Sequence, residues 1–237
     1  MIVSLDNTYR SDFLLLPARN FAGGLVGLEI ITHFTATNGD VRIPTDLVIQ
    51  HMTAEQELML FKEKLAVIAT CQLFFIQHQL LAWINITPAI ALAFLNDELL
   101  VKDVKRFPFL ELTVNENYPG LNQLSANDPL FVLAKRFNLV LANFGAGDAS
   151  TKAIFAGVFS RIQLDRNFVQ RRVMSPSFEP FMRAIVTQMQ PYCATLMIAG
   201  VDSEETLTRI RPFAFSAMQG MLWPPVPPEQ VTTLVQG

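Results

Sequence analysis

Short apolar runs alternate along the chain with stretches in which apolar residues recur at helical spacing. This alternation is typical of buried strands that are each followed by an amphipathic helix. The apolar runs predict strands at 25–34, 82–86, 109–114, 139–142, 161–164, 195–199 and 213–218. The helical spacing predicts helices at about 53–70, 130–137, 150–159, 177–189, 203–210 and 229–235. The order of these elements favours a mostly parallel sheet.

Two helix starts are indicated by their capping residues. Thr53 and Gln56 have the spacing of a capping box, and Thr87 followed by Pro88 is an N-cap and first-turn pair. The predicted apolar face of the helix that begins after Thr53 consists of Leu58, Phe61, Leu65 and Ile68. Its charged residues are predicted to lie on the other faces; they are Glu55, Glu57, Lys62, Glu63 and Lys64.

No linker or change of composition divides the chain, so we expect a single domain over residues 1–237. Repeated strand–helix units with short connections fit a closed α/β barrel, a fold that typically takes about 250 residues. The functional side chains of such barrels lie at the carboxyl ends of the strands.

The segment 223–228 is rich in proline and predicts neither a helix nor a strand. It is compatible with a polyproline II ligand for a partner domain. It is also compatible with a rigid crossover into the short last helix, which is the interpretation we favour.

The composition excludes a disordered chain, because 51% of the residues are hydrophobic and only 16% are charged. The net charge is −3, from 18 basic and 21 acidic residues. Direct nucleic-acid binding usually shows a basic patch or a high isoelectric point. We therefore interpret the small basic groups at 102–106 and 166–172 as solvated faces, and we expect no direct contact with nucleic acid.

Cys71 and Cys193 each stand alone in an apolar setting, which predicts free buried thiols in a reducing compartment. The first residues lack the pattern of a signal peptide. The longest apolar stretch, 65–76, is interrupted by polar residues and shorter than the roughly 18 residues of a membrane span. We therefore expect a cytoplasmic protein that does not bind a membrane.

Polar residues stand at the ends of successive predicted strands, namely Glu29, Asn85, Glu116, Asp165 and Gln219. Each of them alone is compatible with an ordinary hydrogen-bonded residue at the rim of a sheet. A carboxylate buried in a strand is costly unless it is paired or bound to a metal ion. Together these residues predict one pocket into which all of them converge.

The motifs that contain these residues resemble the EAL domains, the fold of the cyclic di-GMP phosphodiesterases, over about residues 26–225. In order, the motifs are Glu29-Ile-Ile31, Asn85-Ile-Thr-Pro88, Asn115-Glu116, Ala142-Asn-Phe-Gly-Ala-Gly147, Gln163-Leu-Asp165, Ala199-Gly-Val-Asp202 and Gln219-Gly220. Each motif alone is a weak signal, but the whole series in the family's order is specific. The resemblance implies a modified (β/α)8 barrel, similar to a TIM barrel, whose first strand runs antiparallel to the others.

The same resemblance implies two divalent cations, Mg²⁺ or Mn²⁺, held mostly by carboxylates. Glu29, Asn85 and Glu116 keep three of the positions that the family uses for one cation. The paired aspartates that would join the two cations are replaced by Ala142 and Asn143. Hard divalent cations require charged oxygen ligands, so these replacements leave too little negative charge to hold two of them.

Three further family positions are substituted. The catalytic lysine corresponds to Gln163, the first glutamate of the Glu-Gly-Val-Glu turn to Ala199, and the arginine after the signature strand to His33. A lone histidine near a strand end is also compatible with a purely structural role. We therefore expect no catalytic residue, no metal ion and no cofactor in this chain.

Within the family the match narrows to a degenerate enterobacterial branch. The phrases that carry this match are Phe74-Phe-Ile-Gln-His78, Asn115-Glu-Asn-Tyr-Pro119, Ser177-Phe-Glu-Pro-Phe181 and Leu222-Trp-Pro-Pro-Val-Pro227. The resemblance implies binding to the FlhD subunit of the flagellar master regulator FlhD–FlhC, with repression of flagellar genes and motility.

Two other functions stay open at this point. One is a weak metal-dependent cyclic di-GMP phosphodiesterase built on Glu29, Asn85, Glu116 and Asp165. The other is a sensor that binds cyclic di-GMP without hydrolysing it, although binding of this nucleotide is not expected, because the arginine that contacts its phosphate is missing.

Overall fold

A computed structural model describes residues 1–4, 8–39, 42–43, 45–125, 127–146 and 152–236. The strands are β1 (Ile2–Ser4), β2 (Thr8–Arg19), β3 (Leu25–Ala36), β4 (Arg42–Ile43), β5 (Leu81–Asn85), β6 (Leu110–Asn115), β7 (Leu139–Phe144), β8 (Arg161–Leu164), β9 (Thr195–Ala199) and β10 (Ala217–Gln219). The α-helices are α1 (Thr45–Ile49), α2 (Ala54–Thr70), α3 (Gln72–Gln77), α4 (Pro88–Asn96), α5 (Glu98–Lys105), α6 (Pro129–Ala134), α7 (Lys152–Phe155), α8 (Arg166–Arg172), α9 (Phe178–Met189) and α10 (Glu204–Ile210). Short 3₁₀ helices cover Leu121–Gln123, Gln190–Tyr192 and Pro228–Val235.

The central sheet closes into an eight-stranded barrel in the order β2-β10-β9-β8-β7-β6-β5-β3, and β3 pairs with β2 to complete the circle. All neighbouring pairs from β3 round to β10 are parallel. β2 is antiparallel to both of its neighbours. The expected modified (β/α)8 barrel with an antiparallel first strand is therefore confirmed.

The apolar pattern along the chain did not reveal β2, although this strand closes the barrel. It reads Thr-Tyr-Arg-Ser-Asp-Phe-Leu-Leu-Leu-Pro-Ala-Arg, with charged residues in its first half and a proline near its end. β2 is a strand because the long β3 supplies a partner for it from Tyr9 to Arg19. Pairing with a neighbour outweighs the weak local preference of such a sequence.

Most of the predicted parallel strands are confirmed within two residues at their ends. The prediction of a strand at 213–218 is wrong in its first half, since the strand covers only Ala217–Gln219. Phe213 and Phe215 are instead buried in a turn. Aromatic residues that pack in a core produce the same apolar run as a strand, so the pattern cannot separate the two.

The predicted helix starts are confirmed. Thr53 and Gln56 form both hydrogen bonds of the capping box before α2, and the Thr87 hydroxyl accepts the Ile90 N–H at the start of α4. The helix predicted at 150–159 begins outside the described residues, and its described part is Lys152–Phe155. The pattern had not indicated α1, α3, α5 and α8.

The main hydrophobic core lies between the barrel and its helices, and contains alternate residues of each strand such as Leu28, Ile84, Leu112 and Ile162. Cys71 is buried and Cys193 is half-buried, both as free thiols. Val226 of the proline-rich segment exchanges two backbone hydrogen bonds with Leu15, which fits the crossover interpretation. None of the helices in the described ranges is long and apolar enough to cross a bilayer.

The floor of the barrel interior contains an ion pair. Glu111 on β6 is 3% exposed and accepts the Arg161 Nε at 2.8 Å and the Trp83 indole N–H at 2.9 Å. Arg161 also donates to the Thr195 hydroxyl. These contacts join β5, β6, β8 and β9 across the interior. On the neighbouring strand β3, residue 27 must be a glycine, because a Cβ there would lie 2.6 Å from the Trp83 ring.

Removing the Glu111 carboxylate leaves Arg161 and the Trp83 N–H without their shared acceptor. We expect Glu111→Ala to lower the free energy of unfolding by about 3 kcal/mol, measured by urea denaturation. Glu98→Ala is the matched control, because Glu98 pairs with Arg136 on the surface, where its side chain is 64% exposed. The control is expected to lose less than about 1 kcal/mol; equal losses for both variants would contradict the role of the interior pair.

Candidate functional site

The carboxyl ends of the parallel strands meet at one mouth of the barrel. Alternate residues of each strand point inward, and the inward set that includes Ala18, Trp83, Val140, Met197 and Ala217 packs together in the interior. Four predicted site positions each lie two residues after a member of this set, on the same face of the same strand. They are Asn85, Ala142, Ala199 and Gln219. The strand periodicity therefore brings these positions to one end of the barrel.

Three predicted site residues form a chain of hydrogen bonds inside this mouth. The Gln163 amide N–H donates to the Gln219 carbonyl oxygen, and the Gln219 amide donates to Glu29 Oε2 at 3.3 Å. Gln163 and Gln219 are both buried. Gln163, where the family has a lysine, thus extends a chain of neutral amides to the Glu29 carboxylate.

Burial raises the pKa of Glu29, and this shift is opposed by the hydrogen bond from Gln219 and by the positive charge of Lys64. A carboxyl group with a raised pKa holds its proton more readily than an exposed one. The surroundings of Glu29 therefore disfavour its charged form, although Gln219 and Lys64 partly oppose this effect.

Three further predicted site residues form hydrogen bonds between their side chains and backbone groups. The Asn85 amide donates to the Thr113 carbonyl oxygen at 3.2 Å. Glu116 is buried and accepts the Ala146 N–H at 2.6 Å. Asp165 is the N-cap of α8 and accepts the Phe168 N–H at 2.8 Å. The structure thus gives Asp165 a helix-capping role that its place in the predicted pocket did not indicate.

The loop that follows β7 starts at the replaced pair of aspartates. Asn143 has a φ of 58°, in the left-handed region that asparagine tolerates better than most residues. The pairing of β7 with β8 shifts register between Leu141 and Phe144. Ala142 is buried and has no group that could bind a cation. Gly147, the last residue of this motif, lies outside the described residues.

Ala199 ends β9, and the turn after it is stabilised by Asp202. The Asp202 carboxylate pairs with Arg166 at 2.9 Å, accepts the Gln170 amide and accepts the Met221 N–H at 2.7 Å. Asp202 therefore connects the end of β9 to α8 and to the chain after β10. It acts as a structural clamp at the rim of the mouth.

His33 lies on the same face of β3 as Glu29 but four residues further along, a rise of about 13 Å. Its cross-strand neighbour is Asp12 on β2. Burial lowers the pKa of His33, the charge of Arg42 lowers it further, and Asp12 raises it. β3 pairs with β5 only as far as Glu29, so His33 stands on the part of the β2–β3 hairpin that extends beyond that pairing.

The prediction that Lys64 lies away from the apolar face of α2 is wrong. Instead of lying on an exposed face, it belongs to the buried face of the helix, together with Leu60, Phe61, Leu65 and Ile68. Burial lowers its pKa to about 8, and the charge of Glu29 opposes this shift. Its spacing of four residues from Leu60 and from Ile68 was the available signal.

Two adjoining clefts at the mouth share Asn117 and Tyr118. One also contains Glu116, Asn122 and Gln123, and the other contains Asn85, Thr87 and Asn115. Burial raises the pKa of Tyr118 to about 12, so its phenol is neutral at physiological pH. None of the described residues that line these clefts is a lysine or arginine, the usual partners of a phosphate group.

The residues present do not fit the pair of cations that the resemblance implies. Over the described part of the chain, no three side chains of histidine, cysteine, aspartate or glutamate are grouped so that they could hold a metal ion. Glu116 and Asp165 accept backbone N–H groups, and Glu29 faces an amide donor. These three carboxylates therefore accept hydrogen bonds from the protein itself.

Comparison with known proteins adds a family and close relatives. The family profile of the EAL domain matches residues 21–225. The chain is 55% identical, over 236 residues and the full length of both proteins, to the "Anti-FlhC(2)FlhD(4) factor YdiV" of Salmonella typhimurium strain 14028s. It is 47% identical, again over both full lengths, to the "Putative anti-FlhC(2)FlhD(4) factor YdiV" of Escherichia coli K12.

A solved structure agrees with these relatives. The crystal structure of the EAL-like domain protein YdiV superposes with a TM-score of 0.90 at 47% sequence identity. The match covers 99% of this chain and 100% of the other. The chain therefore shares its fold with this EAL-like structure over almost all of its length.

Gln219 holds the chain of hydrogen bonds together, because it is the partner of both Gln163 and Glu29. We expect Gln219→Ala to lower the free energy of unfolding by about 1–3 kcal/mol, since the buried Gln163 amide and the half-buried Glu29 carboxylate lose a partner. Thermal or urea unfolding measures the loss. Gln77→Ala, at an exposed helical position, should change stability by less than about 0.5 kcal/mol. A loss as small in Gln219→Ala would mean that the chain of hydrogen bonds contributes little.

Proposed function

The chain belongs to the EAL domain family, and from this premise we propose that it is a catalytically inactive member that binds the flagellar regulator FlhD–FlhC through its FlhD subunit. By this binding it represses flagellar gene expression and motility. The observation that carries the proposal is the full-length likeness, at 55% identity, to a protein named as an anti-FlhC(2)FlhD(4) factor.

The residues at the family's catalytic positions support the proposal that this protein is inactive. Hydrolysis of a phosphodiester at a two-cation site needs a water molecule that is activated between the metal ions. It also needs stabilisation of the attacking and the leaving oxygen. Ala142 and Asn143 supply no negative charge for such cations, and Gln163 supplies no ammonium. A barrel retains its fold when its site is lost, because core packing and site chemistry use different residues.

The charge of the chain supports a protein partner rather than DNA. With a net charge of −3, the chain lacks the excess of basic residues that nucleic-acid binding usually requires. We propose that it acts in the cytoplasm as one EAL-like domain over residues 1–237, and that stoichiometric binding occludes or remodels the form of the regulator that binds DNA.

Binding to the regulator is tested by size exclusion with light scattering. We expect the purified chain and FlhD–FlhC to form a stable complex that is unchanged by cyclic di-GMP and Mg²⁺, because Ala142 and Asn143 replace the cation-bridging aspartates and no described residue that lines the two clefts is a lysine or arginine. Free FlhD tests whether this subunit suffices. A complex only in the presence of nucleotide would favour the sensor, and no complex under any condition would contradict the proposed function.

Absence of turnover is tested separately with cyclic di-GMP and Mn²⁺. We expect no hydrolysis above a protein-free control, since the cation-bridging carboxylates and the lysine are missing. An active EAL enzyme serves as the positive control for the assay. Sustained hydrolysis that Glu29→Ala abolishes would show that the pocket is a working phosphodiesterase and would overturn the inactive assignment.

A further inference from the structure

A further cleft lies at the end of the barrel opposite the mouth. It is lined by residues of the segment 104–110, which leads from the end of α5 into β6, and of the segment 134–138, which leads from α6 into β7. Both segments precede the strands that they join, so the cleft lies at the amino ends of the parallel strands. Its free volume of about 310 Å³ is at the lower end of the range found for ligand-binding pockets.

The floor of this cleft is apolar and belongs to the main core. Val104, Phe107 and Leu110 line the cleft and are buried. Phe137 also lines it and is half-buried against Phe94, with the two ring centroids 5.2 Å apart. Since side chains that are packed in a core keep one arrangement, the floor has a fixed shape that can accept an apolar group.

The charged residues that line the cleft are all basic. They are Lys105, Lys135 and Arg136, which are exposed. Arg136 donates to Glu98 at 2.8 Å, so its charge is partly offset. Lys105 and Lys135 form no ion pair within the part of the chain that the structure describes. Two ammonium groups thus line one cleft without a counter-charge.

The ends of two helices explain part of this arrangement. Lys105 is in the last turn of α5 and Lys135 is the C-cap of α6, where a positive charge stabilises a helix. Lys102 is also in the last turn of α5 but does not line the cleft. Stabilisation of each helix by itself does not require that Lys105 and Lys135 lie on two sides of the same apolar depression.

We propose that this cleft binds an acidic peptide segment of another protein, with one apolar side chain on the floor and carboxylates that pair with Lys105 and Lys135. Charge complementarity selects this occupant, because the two ammonium groups attract carboxylates. A nucleic acid is disfavoured, since it requires a longer basic surface and the chain has a net charge of −3. The proposal does not rest on the proposed function, because none of these residues belongs to the mouth.

Binding is tested on the full chain with an acetylated and amidated peptide in which one leucine stands between two pairs of glutamates. Calorimetry at about 15 and 30 °C measures it, because burial of apolar area makes the heat depend on temperature. We expect saturable binding with a Kd below about 1 mM that weakens as salt is added, since salt screens exposed charge pairs. Replacing the leucine by serine should weaken binding at least about 5-fold, because the floor then loses its apolar group.

Three outcomes of this titration overturn the proposal. The first is an absence of heat at both temperatures. The second is equal binding of the leucine and serine peptides, which would mean that the apolar floor is not used. The third is tighter binding of a single-stranded oligonucleotide or of a peptide with lysines in place of the glutamates, since the ligand would then not be an acidic peptide.

Lysine variants assign the binding to the cleft. We expect Lys105→Gln and Lys135→Gln each to weaken binding about 2- to 5-fold, the usual effect of one exposed ion pair, and the double variant to weaken it at least about 5-fold. Lys102→Gln is the matched control, because this lysine is exposed on the same helix but does not line the cleft. It should change the Kd by less than about 1.5-fold.

An equal loss of affinity in Lys102→Gln and Lys105→Gln would overturn the proposal, because binding would then follow net charge rather than the cleft. All the substituted positions are exposed, so we expect the circular dichroism spectra of the variants to match that of the wild type. FlhD–FlhC takes no part in these measurements. Their failure would therefore contradict the peptide-binding cleft and leave the proposed function in place.

Discussion

The closure of the sheet by β2 is the constraint on which the rest of the structure depends. β2 runs antiparallel to β3 on one side and to β10 on the other, and so turns an open parallel sheet into a barrel. Once the sheet is closed, every second residue of each strand points to the interior. The carboxyl ends of the parallel strands then meet at a single mouth, which is why residues far apart in the chain form one pocket.

The interior of the barrel combines two kinds of polar arrangement. The floor holds a charged pair, Glu111 and Arg161, with the Trp83 N–H as a third partner. The mouth holds a mostly neutral network in which Gln163 and Gln219 connect to Glu29. Buried polar groups are tolerated where each has a partner. Gln163, at the position where the family has a lysine, therefore brings no charge to the mouth and still forms a hydrogen bond with Gln219.

The loss of a catalytic site is compatible with an intact fold because the two depend on different faces of the strands. The outward residues pack against the helices in the main core, and the inward residues at the mouth add little to that packing. The surface of such a barrel remains available for binding another protein.

The local sequence determined the parallel strands, the capped starts of α2 and α4, and the positions that converge at the mouth, because each depends on periodicity or on contacts within a few residues. The family resemblance added the antiparallel first strand. The tertiary structure alone decided that 8–19 is a strand, since a segment with Asp12 and Pro17 needs β3 beside it. It also decided that Lys64 lies on the buried face of α2, and that Glu116 accepts the Ala146 N–H. Such partners lie far away in the sequence or depend on a loop conformation, and no local pattern of apolar and polar residues records them.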